Sequence, residues 1–155
     1  ALIEEGEIAV PREIALDPAI DRSRLRFEQA DAHEPPAAWG AFDAVLAANL
    51  VDRLHHPAQA LARFGALVKP GGLLLLTTPY TWLEAFTARA EWLGGVNRDG
   101  EPLRGAEGLR QALAADFEPV READLPFVIR EHARKFQWSV AHATIWRRRG
   151  SAPRP

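Results

Sequence analysis

With 155 residues, a hydrophobic share of 47%, a charged share of 26% and a formal net charge of −2, the chain has the make-up of one ordinary globular domain with a sizeable core. The near-neutral balance excludes the basic footprint of a nucleic-acid-binding domain and leaves Arg147-Arg148-Arg149 as a solvated terminal run. The lack of cysteine excludes a disulfide scaffold, a thiolate metal site and a catalytic thiol, and no apolar run reaches the ~20 residues of a membrane-spanning helix.

Ala1-Leu2-Ile3-Glu4-Glu5-Gly6 has neither the basic start nor the apolar core of a signal peptide, and no initiator methionine precedes it. The expectation is a cytoplasmic piece of a longer chain. Lys69 and Lys135 are the only lysines, and this arginine- and alanine-rich composition fits a GC-rich bacterial genome. Residues 1–23 carry Pro11 and Pro18 and read as a short amphipathic or extended lead-in. Arg24 to Ala30 alternates, with Leu25, Phe27 and Gln29 on one side, and predicts a strand. Asp31-Ala32-His33-Glu34 leaves it, and Pro35-Pro36 forces a loop. Phe42 to Ala48 predicts a second, buried strand, followed by a loop or short helical turn over Asn49 to Leu54. Pro57 suits the first position of a helix on which Ala60, Leu61, Phe64, Leu67 and Val68 recur at helical spacing.

Lys69-Pro70-Gly71-Gly72 ends that helix and feeds Leu73 to Leu76. Four leucines in a row read as a strand buried on both faces of a helix-covered parallel sheet. Thr77-Thr78-Pro79 stops it, and Tyr80, the only tyrosine, follows where open α/β sheets bind ligands, just beyond the carboxyl end of a strand. Thr81 to Leu93 predicts a helix with Trp82, Phe86 and Trp92 on one side, closed by Gly94-Gly95. Val96 to Arg104 reads as a loop and Glu107 to Ala115 as a short helix. Phe117 to Ile129, interrupted at Pro119 and Pro126, and Gln137 to Arg147 read as an antiparallel strand pair joined near His132 to Phe136. Trp138, Val140, Ala143, Ile145 and Trp146 are the burial candidates of the second strand. The predicted fold is α/β, doubly wound, with a mostly parallel Rossmann-like sheet and a C-terminal antiparallel hairpin. Residues 1–149 form part of one domain, and 150–155 a disordered tail.

Three ordered features resemble the class I S-adenosylmethionine-dependent methyltransferases: Asp31-Ala32 at a strand end, Phe42 to Leu46 running into Asn49-Leu50 and a helix, and Lys69-Pro70-Gly71-Gly72 before four leucines with a hairpin at the chain's end. A narrower resemblance covers most of the chain. Asn49 to Leu54, Thr77 to Glu84, Glu91 to Gly95, Pro126 to Glu131 and Arg134 to Trp138 are similar to the 4-mercaptohistidine N-methyltransferase domains that form the C-terminal part of ovothiol-pathway 5-histidylcysteine sulfoxide synthases. The resemblance implies S-adenosylmethionine as cofactor, S-adenosylhomocysteine as product and a thiol-substituted histidine as small-molecule acceptor. It implies a sulfoxide synthase domain fused to or associated with this one, and no nucleic-acid or membrane partner.

By the same resemblance, the Asp31 carboxylate and the Ala32 N–H would meet the adenine, and Ala48, Asn49 and Leu50 would lie under the rest of the cofactor. Tyr80 and Asp52 are the catalytic candidates. Either would order the acceptor's tautomer or take its proton, and the sequence does not choose between them. Arg53, Tyr80, Thr81, Trp82 and Arg130 would contact the substrate, an arginine fork suiting its carboxylate. Asp52 and Arg53 read equally well as a surface ion pair, and Asp43 as a structural cap. His55 and His56 read as a solvated loop without the third ligand a metal needs, and His132 and His142 as edge or core histidines. One family element is missing: no G-x-G-x-G or close variant occurs, so the chain is expected to hold about the second half of a cofactor cleft. A methyltransferase for another small acceptor, or an inactive partial domain acting as an interaction module, are the rival readings.

Overall fold

The computed structural model describes residues 1–150, so all but the first residue of the expected tail lies outside the described residues. Two compact units divide the chain: residues 1–29 with 126–139, and residues 30–125 with the chain from 140 onward. Among the described residues no helix is long and apolar enough to cross a membrane.

In the first unit, β1 (Leu2–Glu5) and β2 (Ile8–Val10) form an antiparallel pair inside the stretch expected to be a lead-in. The strand expected over Arg24 to Ala30 is absent: these residues are irregular, with Leu25 58% and Phe27 92% exposed. Alternation sets the faces of a strand, but a ladder partner has to hold it, and no strand pairs with this segment.

β3 (Phe42–Ala48), β4 (Val68–Thr78), β7 (Phe117–His132) and β8 (Lys135–Arg148) form a sheet in the order β3-β4-β8-β7, the larger unit holding β3, β4, residues 117–125 of β7 and residues 140–148 of β8. β3 and β4 are parallel, with Ala44 to Ala48 opposite Leu73 to Thr77. β8 runs antiparallel to β4, with Leu74 opposite Trp146 and Thr78 opposite His142. The sheet is therefore mixed, as the expected terminal hairpin requires. β7 continues through Pro119 and Pro126, which its edge position allows because an edge strand leaves amides unpaired. Lys69 to Gly72 bulges out of β4: Phe42 faces Val68, and the regular register resumes only at Leu73.

α1 (Pro57–Leu67) starts with Pro57 as expected and buries Ala60, Leu61 and Phe64. α2 (Gly105–Leu113) buries Leu109 and Leu113. Leu61, Phe64, Leu109 and Leu113 make one core with Val51, Val68, Leu74, Leu76, Trp82, Phe117 and Trp146. Leu73 and Leu75 are only half-buried, and β3 shows a single buried residue, Ala47, so the two-face burial expected of these strands is not met.

The helix expected over Thr81 to Leu93 is replaced by a turn at Leu83–Thr87 and a single 3-10 turn at Arg89–Glu91. Side chains take over the backbone's bonding there. The Thr87 hydroxyl donates to the Leu54 carbonyl at 2.6 Å, and Trp92 Nε1 donates to the Thr87 carbonyl at 2.8 Å. Trp82 is buried and Trp92 half-buried, but Phe86 is 42% exposed. The loop expected over Val96 to Arg104 contains a hairpin, β5 (Val96–Arg98) and β6 (Glu101–Leu103). Asp99 and Gly100 form its two-residue turn with φ of 53° and 87°, the signature of an Asp-Gly hairpin. On β8, Trp146 is buried as expected, whereas Trp138 is 68% exposed.

Candidate active site

β3 and β4 end side by side, Ala48 opposite Thr77. Each then runs into a non-glycine residue with left-handed backbone, Asn49 at φ 49° and Tyr80 at φ 55°. Residues with side chains stay in that region only where their surroundings hold them. The Asn49 N–H donates to the Thr77 carbonyl at 2.8 Å and to its hydroxyl at 3.0 Å, and that hydroxyl donates back to Asn49 Oδ1 at 2.9 Å. The Tyr80 N–H donates to the buried Thr78 hydroxyl at 3.0 Å.

The Tyr80 ring lies so close to the start of α2 that a Cβ on Gly105 would come within 2.3 Å of it. At its other end the phenol oxygen is 2.6 Å from His142 Nδ1. His142 Nε2 stands 3.6 Å from Glu122 Oε2 on β7, which accepts from Arg110 Nη2 of α2 at 2.8 Å. Burial pushes the Tyr80 phenol up to about 12; Arg110 opposes this, and Glu122 and Asp124 add to it. Tyr80 is therefore a neutral phenol at neutral pH.

Asp52 lies in the 3-10 turn Val51–Arg53 and is 1% exposed, so the surface ion-pair reading does not hold. Its Oδ2 accepts the Thr81 N–H at 2.9 Å and Arg53 Nη1 at 3.2 Å. Arg53 Nη1 also donates to the Thr81 carbonyl at 2.6 Å, and the guanidinium sits 5.2 Å above the Phe86 ring. This pair fastens the loop after β4 to the loop after β3. Asp52 Oδ1 is buried with no hydrogen-bond partner among the described residues. Thr81 is exposed, and Trp82 is buried in the core, stacked on Trp92 at 6.2 Å.

Asp31 stands in an exposed turn, where Oδ1 accepts the His33 N–H at 2.9 Å. His33 Nε2 accepts the His56 N–H at 3.2 Å, so the ring proton sits on Nδ1, 2.9 Å from the same Asp31 oxygen. These bonds, the backbone one first, hold the Asp31 carboxyl below its ordinary value. Ala32 and Leu50 pack on the core, and Ala48 is exposed. His55 and His56 are exposed in the loop before α1, as expected, with their rings 6.3 and 6.1 Å from that of His33. Asp43 pairs with Lys69 at 2.9 Å across the bulge, which is a structural role. Arg130 lies in the first unit beside the Glu131–Lys135 ion pair, while the other candidates lie in the larger unit.

The structure thus brings Asn49, Leu50, Asp52, Arg53, Tyr80 and Thr81 to the carboxyl ends of two parallel strands. Sequence reasoning missed His33 as the partner of Asp31, and His142, with Glu122 behind it, as the partner of Tyr80. Only the β4–β8 register could have singled out His142, by placing it opposite Thr78.

A mixed α/β sheet with left-handed residues at its parallel strand ends defines a domain of the Rossmann-like class, a fold whose members bind ligands beyond those strand ends. A family profile described as a methyltransferase domain matches residues 7–122, well over half of the chain, and the chain belongs to that family. A SAM-dependent methyltransferase from Methanosarcina mazei shares the fold with a TM-score of 0.59 at 13% identity, over 87% of this chain and 74% of that one. A structure concerned with converting a disulfide into a thioacetal during echinomycin biosynthesis aligns with a TM-score of 0.57 at 15% identity, over 82% and 57%. The [4+2]-cyclase SpnF aligns with a TM-score of 0.53 at 19% identity, over 84% and 58%. The chain spans little more than half of the latter two structures. No curated protein matches it.

Proposed function

We propose that this chain is the C-terminal part of an S-adenosylmethionine-dependent methyltransferase domain that methylates an imidazole nitrogen of 4-mercaptohistidine in ovothiol biosynthesis. The observation that carries the reading is the pair of left-handed residues, Asn49 and Tyr80, at the ends of adjacent parallel strands. Strained residues of this kind cluster where a ligand must be held. Membership of the methyltransferase-domain family supports the reaction class, and the Thr77 to Glu84 stretch supports the acceptor.

The residues present suit one wall of a nucleoside cofactor site. Asp31 offers a carboxylate fixed by His33 to the adenine amino group, and the Ala32 N–H suits a ring nitrogen. Asn49 and Leu50 would lie beneath the amino-acid portion. The cofactor would supply a methyl group on a cationic sulfur. The chain's own contribution is positioning: the Asp52–Arg53–Thr81 bonds hold the loops that would flank the acceptor nitrogen. The electron-rich Tyr80 ring suits a cationic neighbour. Within the larger unit, Arg53 is the fork available to the acceptor's carboxylate. A sulfoxide synthase domain, fused or associated, would deliver the thiol-substituted histidine.

The experiment incubates the intact protein with S-adenosylmethionine and either 4-mercaptohistidine or histidine, and reads S-adenosylhomocysteine and methylated product by mass spectrometry. Methylation of the mercapto compound alone is expected. Transfer to histidine, or to another small acceptor instead, overturns the substrate. No transfer to any acceptor favours the second reading, an interaction module, which the exposed β3 supports.

A further inference from the structure

We infer that His142, backed by Glu122, is the positioning residue that makes the Tyr80 oxygen the receiver of the acceptor's ring proton. The inference rests on the methyl-transfer reading and settles what the sequence left open between Tyr80 and Asp52. Asp52 is poorly placed for the task. It is 1% exposed: its Oδ2 accepts the Thr81 N–H and Arg53, and its Oδ1, which has no partner among the described residues, is itself buried. Tyr80 is only half-buried and is clamped at three points: its N–H on Thr78, its ring against Gly105, its hydroxyl on His142.

The direction of the hydroxyl hydrogen decides its role. Glu122 Oε2 faces His142 Nε2 at 3.6 Å, and a carboxylate there favours the tautomer with its proton on Nε2. Nδ1 then carries a lone pair and accepts the Tyr80 O–H at 2.6 Å. With its hydrogen drawn to His142, the phenol oxygen keeps its own lone pairs for a donor on the ligand. An imidazole acceptor offers such a donor: one ring nitrogen attacks while the other bears N–H. Held by that N–H, the attacking nitrogen is the one with a free lone pair.

Methylation leaves the acceptor ring cationic, and the proton balance closes locally. The acceptor's N–H bond breaks and a new O–H bond forms on Tyr80. The original Tyr80 O–H bond breaks and a new N–H bond forms at His142 Nδ1. The resulting imidazolium faces Glu122, and its proton later passes to water. Arg110 opposes this by pairing with the same Glu122 oxygen, and Asp124 adds negative charge near the phenol. A phenol held near 12 does not ionise by itself at neutral pH, so the hand-over to His142 is what lets it take a proton.

The test uses the intact protein and two readouts. The ¹⁵N shifts of the His142 ring report its tautomer without any turnover, and the proton is expected on Nε2, with a change in Tyr80→Phe. Steady-state methyl transfer is then followed against pH for wild type, His142→Asn, His142→Gln and Glu122→Gln, each checked for folding by its urea midpoint. His142→Asn preserves an acceptor for the Tyr80 hydroxyl but takes no proton. It should lower kcat about 100-fold, leave KM for S-adenosylmethionine unchanged and flatten the low-pH limb. Glu122→Gln should fall between it and wild type. A proton on Nδ1, or a folded His142→Asn with wild-type kcat and pH profile, overturns the inference. Wild-type protein that transfers no methyl to any acceptor overturns the functional reading instead, so the two failures are distinct.

Discussion

Tyr80 is the chain's only tyrosine, so its ionisation can be read without interference. Burial raises its phenol from 10.0 to about 12. Tyrosinate absorption of the folded protein should therefore appear near pH 12 and shift to 10.0 in denaturant. The sign for stability follows: between those values the unfolded chain gives up the proton that the folded chain keeps. The Tyr80 contribution is complete below pH 10.0 and is lost as pH rises toward about 12. A folded protein titrating at 10.0 would remove the buried clamp. At Asp31, His33→Ala removes the ring hydrogen bond to the carboxylate while sparing the backbone one. The expected result is a cofactor affinity about threefold to tenfold weaker by calorimetry, the range of one hydrogen bond. The strand-end position of Tyr80 was legible in the sequence because a proline and two threonines stop a leucine run. His142 was not, because its partner is set by a register across residues distant in the chain.

Elements that carry their own signals were the legible ones. α1 has proline at its first turn and apolar residues at helical spacing, and α2 has Leu109 and Leu113. The region between Thr81 and Arg104 departs from the expectation because non-helical bonds hold it, the Thr87 hydroxyl on the distant Leu54 carbonyl and the Gly95 N–H on the Leu103 carbonyl. The helix expected there was inferred from aromatic spacing alone. Close approach explains the glycine that opens α2. A Cβ on Gly105 would meet Tyr80 Cδ1 at 2.3 Å and Cε1 at 2.5 Å, so Gly105→Ala has to move the ring. This substitution should lower stability by about 1–3 kcal/mol in urea melts, as overpacking does. It should also bring the tyrosinate transition back toward 10.0. Unchanged stability and titration together would mean that α2 shifts freely and that Tyr80 is not clamped.

At the scale of the whole molecule, the sheet's open edge is its least expected feature. Phe42-Asp43-Ala44-Val45-Leu46-Ala47-Ala48 reads as a strand covered on both faces, yet β3 ends the order β3-β4-β8-β7. Leu46 is 64% and Phe42 42% exposed. The sequence of β3 is written for neighbours that the described residues do not provide. Apolar composition is enough to form the strand, but burial depends on neighbours, so β3 forms without being covered. An apolar, unpaired parallel edge is a template for another chain, because its free N–H and C=O groups accept a further strand and its leucine gains by being covered. The 155-residue protein should therefore self-associate as its concentration rises, seen as an increasing average mass in sedimentation velocity. Leu46→Lys places a charge on the exposed edge without entering the core, and should hold the protein monomeric with an unchanged circular dichroism spectrum. Association as strong as that of the wild type in this variant would place the sticky surface elsewhere. Monomeric wild-type protein would mean that β3 is protected by its own twist.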